Sequence, residues 1–436
     1  MANVLLIGNG AREHAIAEAI IRSPQKLKLF SYMKARNPGI AKLSESIKLG
    51  DYGNLSEIVK FTKDNAVDFA VIGPEEPLSK GVVDELEKEG IRCVGPKKEL
   101  AQLETSKSFT RLLMEKYNIE GNPSFKVFKN MDGIKEFLDS LEGFVIKPDG
   151  LTGGKGVKVQ GDHLQTKEEA LAYCKDVLKT HPSVVVEEKM EGEEFSLQCL
   201  SDGRHVVATP PCQDHKRAFV DDKGPNTGGM GSYSSANHLL PFLKKEHVQK
   251  ALEITQQVCN ALDEEIGEYK GVMYGGFMLT KDGVKLVEYN ARFGDPEAMN
   301  VLPLLKTDFM VVCNAIITGE LNRLKINFEK KATVCKYAVP EGYPTAPVKN
   351  KKVDLSEVPN DAKVYYASVD EKKDGLYMSS SRAIAFVGIA DTLEKAESIA
   401  EKAVSSIKGS VFHRPDIGTK ALIEKRVRHM ESIIGN

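Results

Sequence analysis

Glu288, Asn290 and Arg292 stand at alternate positions in the stretch Leu286-Val287-Glu288-Tyr289-Asn290-Ala291-Arg292-Phe293-Gly294-Asp295-Pro296-Glu297. The run 271–280 and a Lys281-Asp282-Gly283 turn precede it, so it reads as the second strand of a hairpin. Alternate side chains on a strand share a face, which puts the three together. A carboxylate beside a carboxamide oxygen is a pair of hard ligands suited to Mg²⁺. A guanidinium two residues further on suits the phosphate or carboxylate such an ion carries. A solvated strand face has the same pattern, so the metal reading depends on a partner for the ion elsewhere in the chain.

That partner is suggested by Lys147-Pro148-Asp149-Gly150-Leu151-Thr152-Gly153-Gly154-Lys155-Gly156-Val157. A P-loop would need a helix after its lysine and one more residue between Gly150 and Gly154, so this is not a Walker A site. Its glycines still let backbone amides approach anionic oxygens, and Lys147 and Lys155 add point charges. A glycine-rich loop between two strands, with a lysine ending the first, resembles the lid of the ATP-grasp enzymes. About 30 residues on, an apolar strand at 183–186 leads into Glu187-Glu188 and then Glu193-Glu194. Such a linker offers backbone groups to an adenine edge and carboxylates to ribose hydroxyls, or serves only as a hinge. A long glycine-rich loop follows, with Gln213-Asp214-His215-Lys216-Arg217 and Gly224-Pro225-Asn226-Thr227-Gly228-Gly229-Met230-Gly231. His215 reads as a satisfied structural residue. No Ser/His/Asp, H-E-x-x-H or C-x-x-C constellation occurs, so the chemistry rests on metal and phosphate.

The elements that must position these groups begin at the N-terminus. The run 4–7, then Gly8-Asn9-Gly10 and a helical pattern through Ile16, Ala19 and Ile20, opens a doubly wound α/β unit. A dinucleotide fingerprint wants glycine where Glu13 stands, and the strand at 27–32 leads to Lys34 and Arg36 rather than to an acid, which argues against NAD. What remains is an anion loop at a helix N-terminus, or a turn with no ligand. A strand at 67–72 enters Gly73-Pro74-Glu75-Glu76-Pro77, expected as a rigid loop where α/β sheets place ligands. A strand at 92–94 and a helix over 97–116 follow. A hairpin is expected over 195–211 and a helix over 307–321, then strands at 334–339, 364–369, 375–378 and 383–389 and a helix over 393–407. Arg382 and the segment 414–418 read as structural.

At 436 residues the chain is too long for one core. Hydrophobic content of 41%, charged content of 28% and a net charge of −2 describe a globular protein that binds neither nucleic acid nor membrane generically. Seven scattered cysteines without C-x-x-C read as reduced, buried thiols, and the N-terminus has no signal-peptide pattern. A cytoplasmic enzyme is expected.

Taken in order, Gly8-Asn9-Gly10-Ala11-Arg12-Glu13-His14-Ala15, the 147–157 loop, GPNTGGMG at 224–231, VEYNARFGDPE at 287–297 and Asp416-Ile417-Gly418 closely resemble the phosphoribosylamine–glycine ligases, also called glycinamide ribonucleotide synthetases, of the ATP-grasp superfamily. Ala11 and Thr152-Gly153 depart from the usual residues without removing a functional group. The resemblance implies an N-terminal doubly wound α/β substrate-binding domain over 1–102 and an ATP-grasp domain over 103–329 with a lid at about 123–190. A small α+β domain over 330–436 follows. It implies ligation of glycine to 5-phosphoribosylamine by a monomer, with ATP as co-substrate and Mg²⁺, or Mn²⁺, as cofactor. Glu288 and Asn290 would hold the metal. Lys107, Lys147, Gly153, Gly154, Lys155, Gly156, Glu187, Glu188 and Glu194 would hold ATP. Arg292, Lys155 and Asp214 are the catalytic candidates. Gly10, Glu75, Asp214, Asn226, Thr227, Gly228, Gly229, Met230, Arg292 and Pro296 would meet glycine and the sugar amine. Another ATP-grasp ligase and a non-catalytic nucleotide-binding module are the alternatives.

Overall fold

The computed structural model describes residues 1–151 and 156–435. Its first sheet holds five parallel strands, β1 (Ala2–Ile7), β2 (Leu27–Met33), β3 (Ser46–Leu49), β4 (Phe69–Ile72) and β5 (Arg92–Val94), in the order β3-β2-β1-β4-β5. Val4 to Ile7 are all buried, as strands covered on both faces require. The winding reverses between β1 and β4, and the crevice at their carboxyl ends is where such sheets bind ligands. Gly8 and Gly73 leave those two strands side by side. A Cβ on either would run into the Glu13 side chain, at 2.4 and 2.3 Å, so only glycine lets both turns close around it.

Two expectations change here. The acids after Gly73 do not form a loop: Glu75 opens the helix Glu75–Lys80, whose Pro77 sits in the first turn, where a missing N–H costs nothing. The helix expected over 97–116 is broken. Its parts are Gln102–Thr105 and Lys107–Lys116, with Ser106 extended between them and accepting from the Phe109 N–H, a side-chain cap that starts the second helix.

The second sheet contains β6 (Phe125–Phe128), β7 (Phe144–Pro148), β8 (Lys158–Val159) and β9 (Val184–Glu188), in the order β6-β9-β7-β8. With the helices Ile134–Ser140 and Lys167–Val177 it buries its own small core of Phe128, Leu138, Phe144, Ile146, Cys174 and Val186. The third, antiparallel, holds β10 (Glu193–Asp202) and β11 (Val206–Ala208).

Four short strands come next, within the stretch expected as a loop: β12 (Gln213–Asp214), β13 (Arg217–Phe219), β14 (Lys223–Asn226) and β15 (Gly231–Ser234). Then β16 (Lys270–Thr280) and β17 (Gly283–Asn290) form the foreseen hairpin and complete the third sheet as β11-β10-β16-β17. The helix Lys245–Glu265 packs on it, with Tyr289 Oη donating to Thr255 Oγ1 at 3.0 Å.

β18 (Ala332–Pro340) pairs on one edge with β15, so the GPNTGGMG loop is anchored in a sheet shared with the last third of the chain. The strand expected over 364–369 is two, Lys363–Tyr366 and Val369–Lys372, in different sheets, because Ala367 and Ser368 donate instead to Ala383 O and Arg382 O. All seven cysteines are free and buried. Among the described residues no helix is long and apolar enough to cross a membrane.

Candidate active site

The hairpin carries a β-bulge. Gly276 pairs with Glu288 and Phe277 with Leu286, which leaves Val287 unpaired between them. The extra residue shifts the alternation: Val284 and Leu286 face the core before it and Tyr289 after it, while Glu288 and Asn290 are left half-buried on the opposite face. It also frees the Val287 carbonyl, which accepts from Lys147 Nζ at 3.0 Å and Arg111 Nη2 at 2.8 Å.

Among the described residues, four cations gather around Glu288. Burial opposes its charge, but Lys216, Lys147, Lys107 and Arg292 outweigh that and hold the carboxyl below its usual range. Lys107 Nζ donates to Gly150 O at 2.9 Å. Lys216 is half-exposed, and Glu194 at 3.2 Å pushes its ammonium above the usual range. Burial lowers Lys147 instead, against Glu187 at 2.6 Å.

Glu187 is not free for a ribose. Its buried carboxylate takes Arg111 on both oxygens, at 2.7 and 3.0 Å, as well as Lys147. Burial opposes its charge too, and the two cations overcome this and hold it at about 2. Glu188 accepts the Ser124 N–H at 3.0 Å and lies 3.5 Å from Lys285. Gly153, Gly154 and Lys155 lie outside the described residues, and Gly156 O accepts from Tyr173 Oη at 2.7 Å.

Arg292 sits among acids. Its Nη2 donates to Glu104 at 2.9 Å and to Asn290 Oδ1 at 3.0 Å, and its Nε lies 3.4 Å from Glu75. Burial of Glu75 is outweighed by Arg292 and Arg12, which bring its carboxyl to about 2. The N-terminal helix joins the same cluster through Arg12, which donates to Phe293 O at 3.1 Å and to Glu13 at 2.5 Å. The other Glu13 oxygen accepts the Gly10 N–H at 2.6 Å. The amide proposed for an outside anion is thus already capped by the chain itself.

On the far side of Asp295, Gly229 (φ +107°) touches both Asp214 and Pro296: a Cβ there would stand 2.6 Å from Asp214 Oδ1 and 2.7 Å from Pro296 Cδ. Burial, then Glu297, raises the Asp214 carboxyl well above its ordinary value. Arg382, read from sequence as structural, reaches into this corner. It lies over the Tyr337 ring and donates to Gly228 O at 2.6 Å, Gly229 O at 3.0 Å and Asp295 O at 3.1 Å. Thr227 turns the loop by donating to Lys216 O from both N and Oγ1, and Asn226 pairs with Arg217. Met230 is fully buried in the core, so its side chain anchors the loop. His215 is buried and pushed down to about 3 by that burial, with no partner on either ring nitrogen among the described residues. Arg414, also buried, pairs with Asp222 and Asp416.

Sequence reasoning missed Glu104, Arg111 and Lys216 as members of this site. Lys216 alone had a local signal, since it alternates with Asp214. The other two act over long separations that no nearby pattern reveals.

Comparison with known proteins points to one family. Family models of phosphoribosylglycinamide synthetase match its N domain at residues 2–104, its ATP-grasp (A) domain at 105–298 and its C domain at 333–420. The chain belongs to the phosphoribosylglycinamide synthetase family. Members named phosphoribosylamine–glycine ligase include one from Methanocella arvoryzae, 50% identical over 433 residues, 99% of this chain and 100% of that one. Another, from Methanocaldococcus jannaschii, is 51% identical over 441 residues and 99% of each chain. The crystal structure of the Thermotoga maritima phosphoribosylamine–glycine ligase superposes with a TM-score of 0.81 at 27% identity, covering 95% of this chain and 100% of that one. A biotin carboxylase domain from Hydrogenobacter thermophilus, with a TM-score of 0.71 at 16% identity over 98% and 93% of the two chains, shares the fold.

Proposed function

We propose that this phosphoribosylglycinamide synthetase family member joins glycine to 5-phosphoribosylamine at the expense of ATP, giving glycinamide ribonucleotide, ADP and phosphate in purine biosynthesis. The observation that carries the reading is the open face of β17, where Glu288 and Asn290 point away from the core amid Lys107, Lys147, Lys216 and Arg292. Two hard oxygen donors ringed by cations suit a triphosphate carrying a divalent ion.

Glu288 and Asn290 would hold Mg²⁺ or Mn²⁺, which when bound neutralises charge on the β- and γ-phosphates. The donor set fits an ion that takes its other ligands from phosphate and water. Among the described residues no cluster of three or more His, Cys, Asp or Glu forms an all-protein cage.

Joining a carboxylate to an amine is uphill, so the glycine carboxylate first attacks the γ-phosphorus and ADP leaves. Lys107 and Lys147 keep the phosphates in line and offset their charge, and Arg292 does so from the β17 side. The amine of the sugar then attacks the carbonyl of glycyl phosphate, and phosphate leaves. Asp214, beside the Gly229 turn and Pro296, would take the proton that the amine loses. The Asn226–Gly229 turn with Asp214 would meet glycine and the acceptor, and Gly10 with Glu75 would lie on the ribosylamine side. The sheet β6–β9, which brings Lys147 to the site, would shield from water an acyl phosphate that water would destroy. A cytoplasmic monomer belongs to this reading.

Purified protein given ATP, Mg²⁺, glycine and freshly generated phosphoribosylamine is expected to yield ADP, phosphate and a glycine amide. Absence of glycine-dependent ADP release would sink the assignment.

A further inference from the structure

The β16–β17 ladder ends where Tyr274 pairs with Asn290, so the next amide, that of Ala291, needs another partner in a place that is 1% exposed. Glu104, from the short helix Gln102–Thr105, supplies one: its Oε2 accepts the Ala291 N–H at 2.8 Å. Its Oε1 accepts Arg292 Nη2 at 2.9 Å, and that same nitrogen donates to Asn290 Oδ1 at 3.0 Å. A single buried carboxylate therefore ties down three successive residues at the exit of the metal strand. A guanidinium only donates, so it also dictates which end of the Asn290 carboxamide is the oxygen. Glu75 cannot replace this grip, because it meets Arg292 on Nε at 3.4 Å, is shared with Arg12 at 3.9 Å and touches neither Asn290 nor Ala291.

We propose that Glu104 is a positioning residue of the ligase, holding the Asn290 oxygen and the Arg292 guanidinium in the orientation that receives the nucleotide-bound divalent cation. The inference rests on the ligase reading above and adds to it a group from the junction between the first sheet and the ATP-grasp region. Without the Glu104 charge, Arg292 is left to Glu75, its Nη2 moves off Asn290, and the carboxamide is free to turn its nitrogen toward the cation.

The test uses the full chain carrying Glu104→Gln or Glu104→Asp. Mn²⁺ binding in the presence of ADP is read from the electron paramagnetic resonance of the free ion, alongside glycine-dependent ADP release and the melting temperature. In Glu104→Gln, Mn²⁺ affinity and kcat are each expected to fall by about tenfold or more, the scale of losses when a group orienting a metal ligand is removed. Glu104→Asp keeps the charge but reaches only one donor, and is expected to lose less; it carries the test if the Gln variant does not fold. In an Asn290→Ala background, Glu104→Gln is expected to cost less Mn²⁺ affinity than in the parent, because part of its effect runs through that side chain. Unchanged affinity in the folded variants, or losses that add in the double variant, would overturn the proposal. A parent chain without glycine-dependent ADP release overturns the ligase reading instead, and the Mn²⁺–ADP measurement still judges Glu104.

Discussion

Replacing Glu187 with Gln tests the buried charge cluster behind the site. Glu187, Arg111 and Lys147 have side chains only 2%, 3% and 7% exposed, with contacts of 2.7 and 2.6 Å. The substitution keeps the shape and strands two buried cations. The Glu187 carboxyl is held at about 2, against roughly 4.3 in an unfolded chain. The difference is worth about 3 kcal/mol, the same size as the ~3–5 kcal/mol expected when one partner of a buried pair is lost. Because the folded value is the lower one, this stabilisation is complete above roughly pH 4.3 and fades as pH falls toward 2. Urea melts of both proteins between pH 7 and pH 3 are expected to show the Gln variant about 3 kcal/mol weaker at pH 7, with the gap narrowing near pH 3. Burial already lowers Lys147, and of the two acids that oppose this, Glu187 and Glu288, Glu187 has the larger effect. The variant's ADP release is therefore expected to fall as pH rises through the new Lys147 value, within a range where the parent enzyme holds steady. A gap below 1 kcal/mol at pH 7, or one that does not change with pH, would refute the reasoning.

Glu288→Gln is expected to cut turnover by on the order of a hundredfold while nucleotide binding, followed by calorimetry, falls much less; normal turnover would remove its metal role. Gly229→Ala forces a side chain to φ +107° against Pro296 Cδ, which cannot swing away. It is expected to lower the melting temperature, from strain of about 1–3 kcal/mol, and to raise the KM for glycine. An unchanged KM would show that the turn does not shape the glycine pocket. His14 is buried, accepts the Tyr366 N–H at 3.0 Å and is pushed down by burial to about 4. Its folded value lies below roughly 6.5 in an unfolded chain, so stability is full above that and falls as pH drops toward 4, by about 3 kcal/mol in all. His14→Gln, which can still accept that N–H, is expected to flatten this dependence in thermal melts between pH 7 and pH 4.5, and an unaltered slope would exclude His14 as its source.

Much of the scaffold was legible because it is local. The runs 4–7, 67–72, 92–94 and 271–280 carry the continuous apolar pattern of buried strands, and all four are strands within a residue or two. The stripe Ala251, Ile254, Thr255, Val258, Cys259 and Leu262 is an equally plain helical signal, passed over because no chemistry hangs on it. Other features depend on tertiary partners. Ser106 breaks a helix that periodicity alone would continue, since its hydroxyl also reaches Asp149 at 3.1 Å. Glu104 drew no reading and Glu187 was expected at a nucleotide, because the arginines that claim them lie 188 and 76 residues away.

The bulge at Val287 shows why the placement of the central motif was not readable from alternation alone. Plain alternation puts Glu288 on the same face as Val284 and Leu286, which are buried at 6% and 0% exposure. A carboxylate there would be driven into the core without a partner. Yet Tyr289 must also face inward, since its ring packs edge-on against Phe277. Both demands are met only if one residue drops out of the ladder, and Val287 does so opposite the step from Gly276 to Phe277. The same event turns Glu288 outward and offers the Val287 carbonyl to Lys147 and Arg111. Gly276, across from Glu288, has no side chain to cover that carboxylate: an added Cβ would lie 3.7 Å from Glu288 Cγ. One irregularity in one strand thus aims the carboxylate proposed for the metal and tethers the lysine proposed for the phosphates.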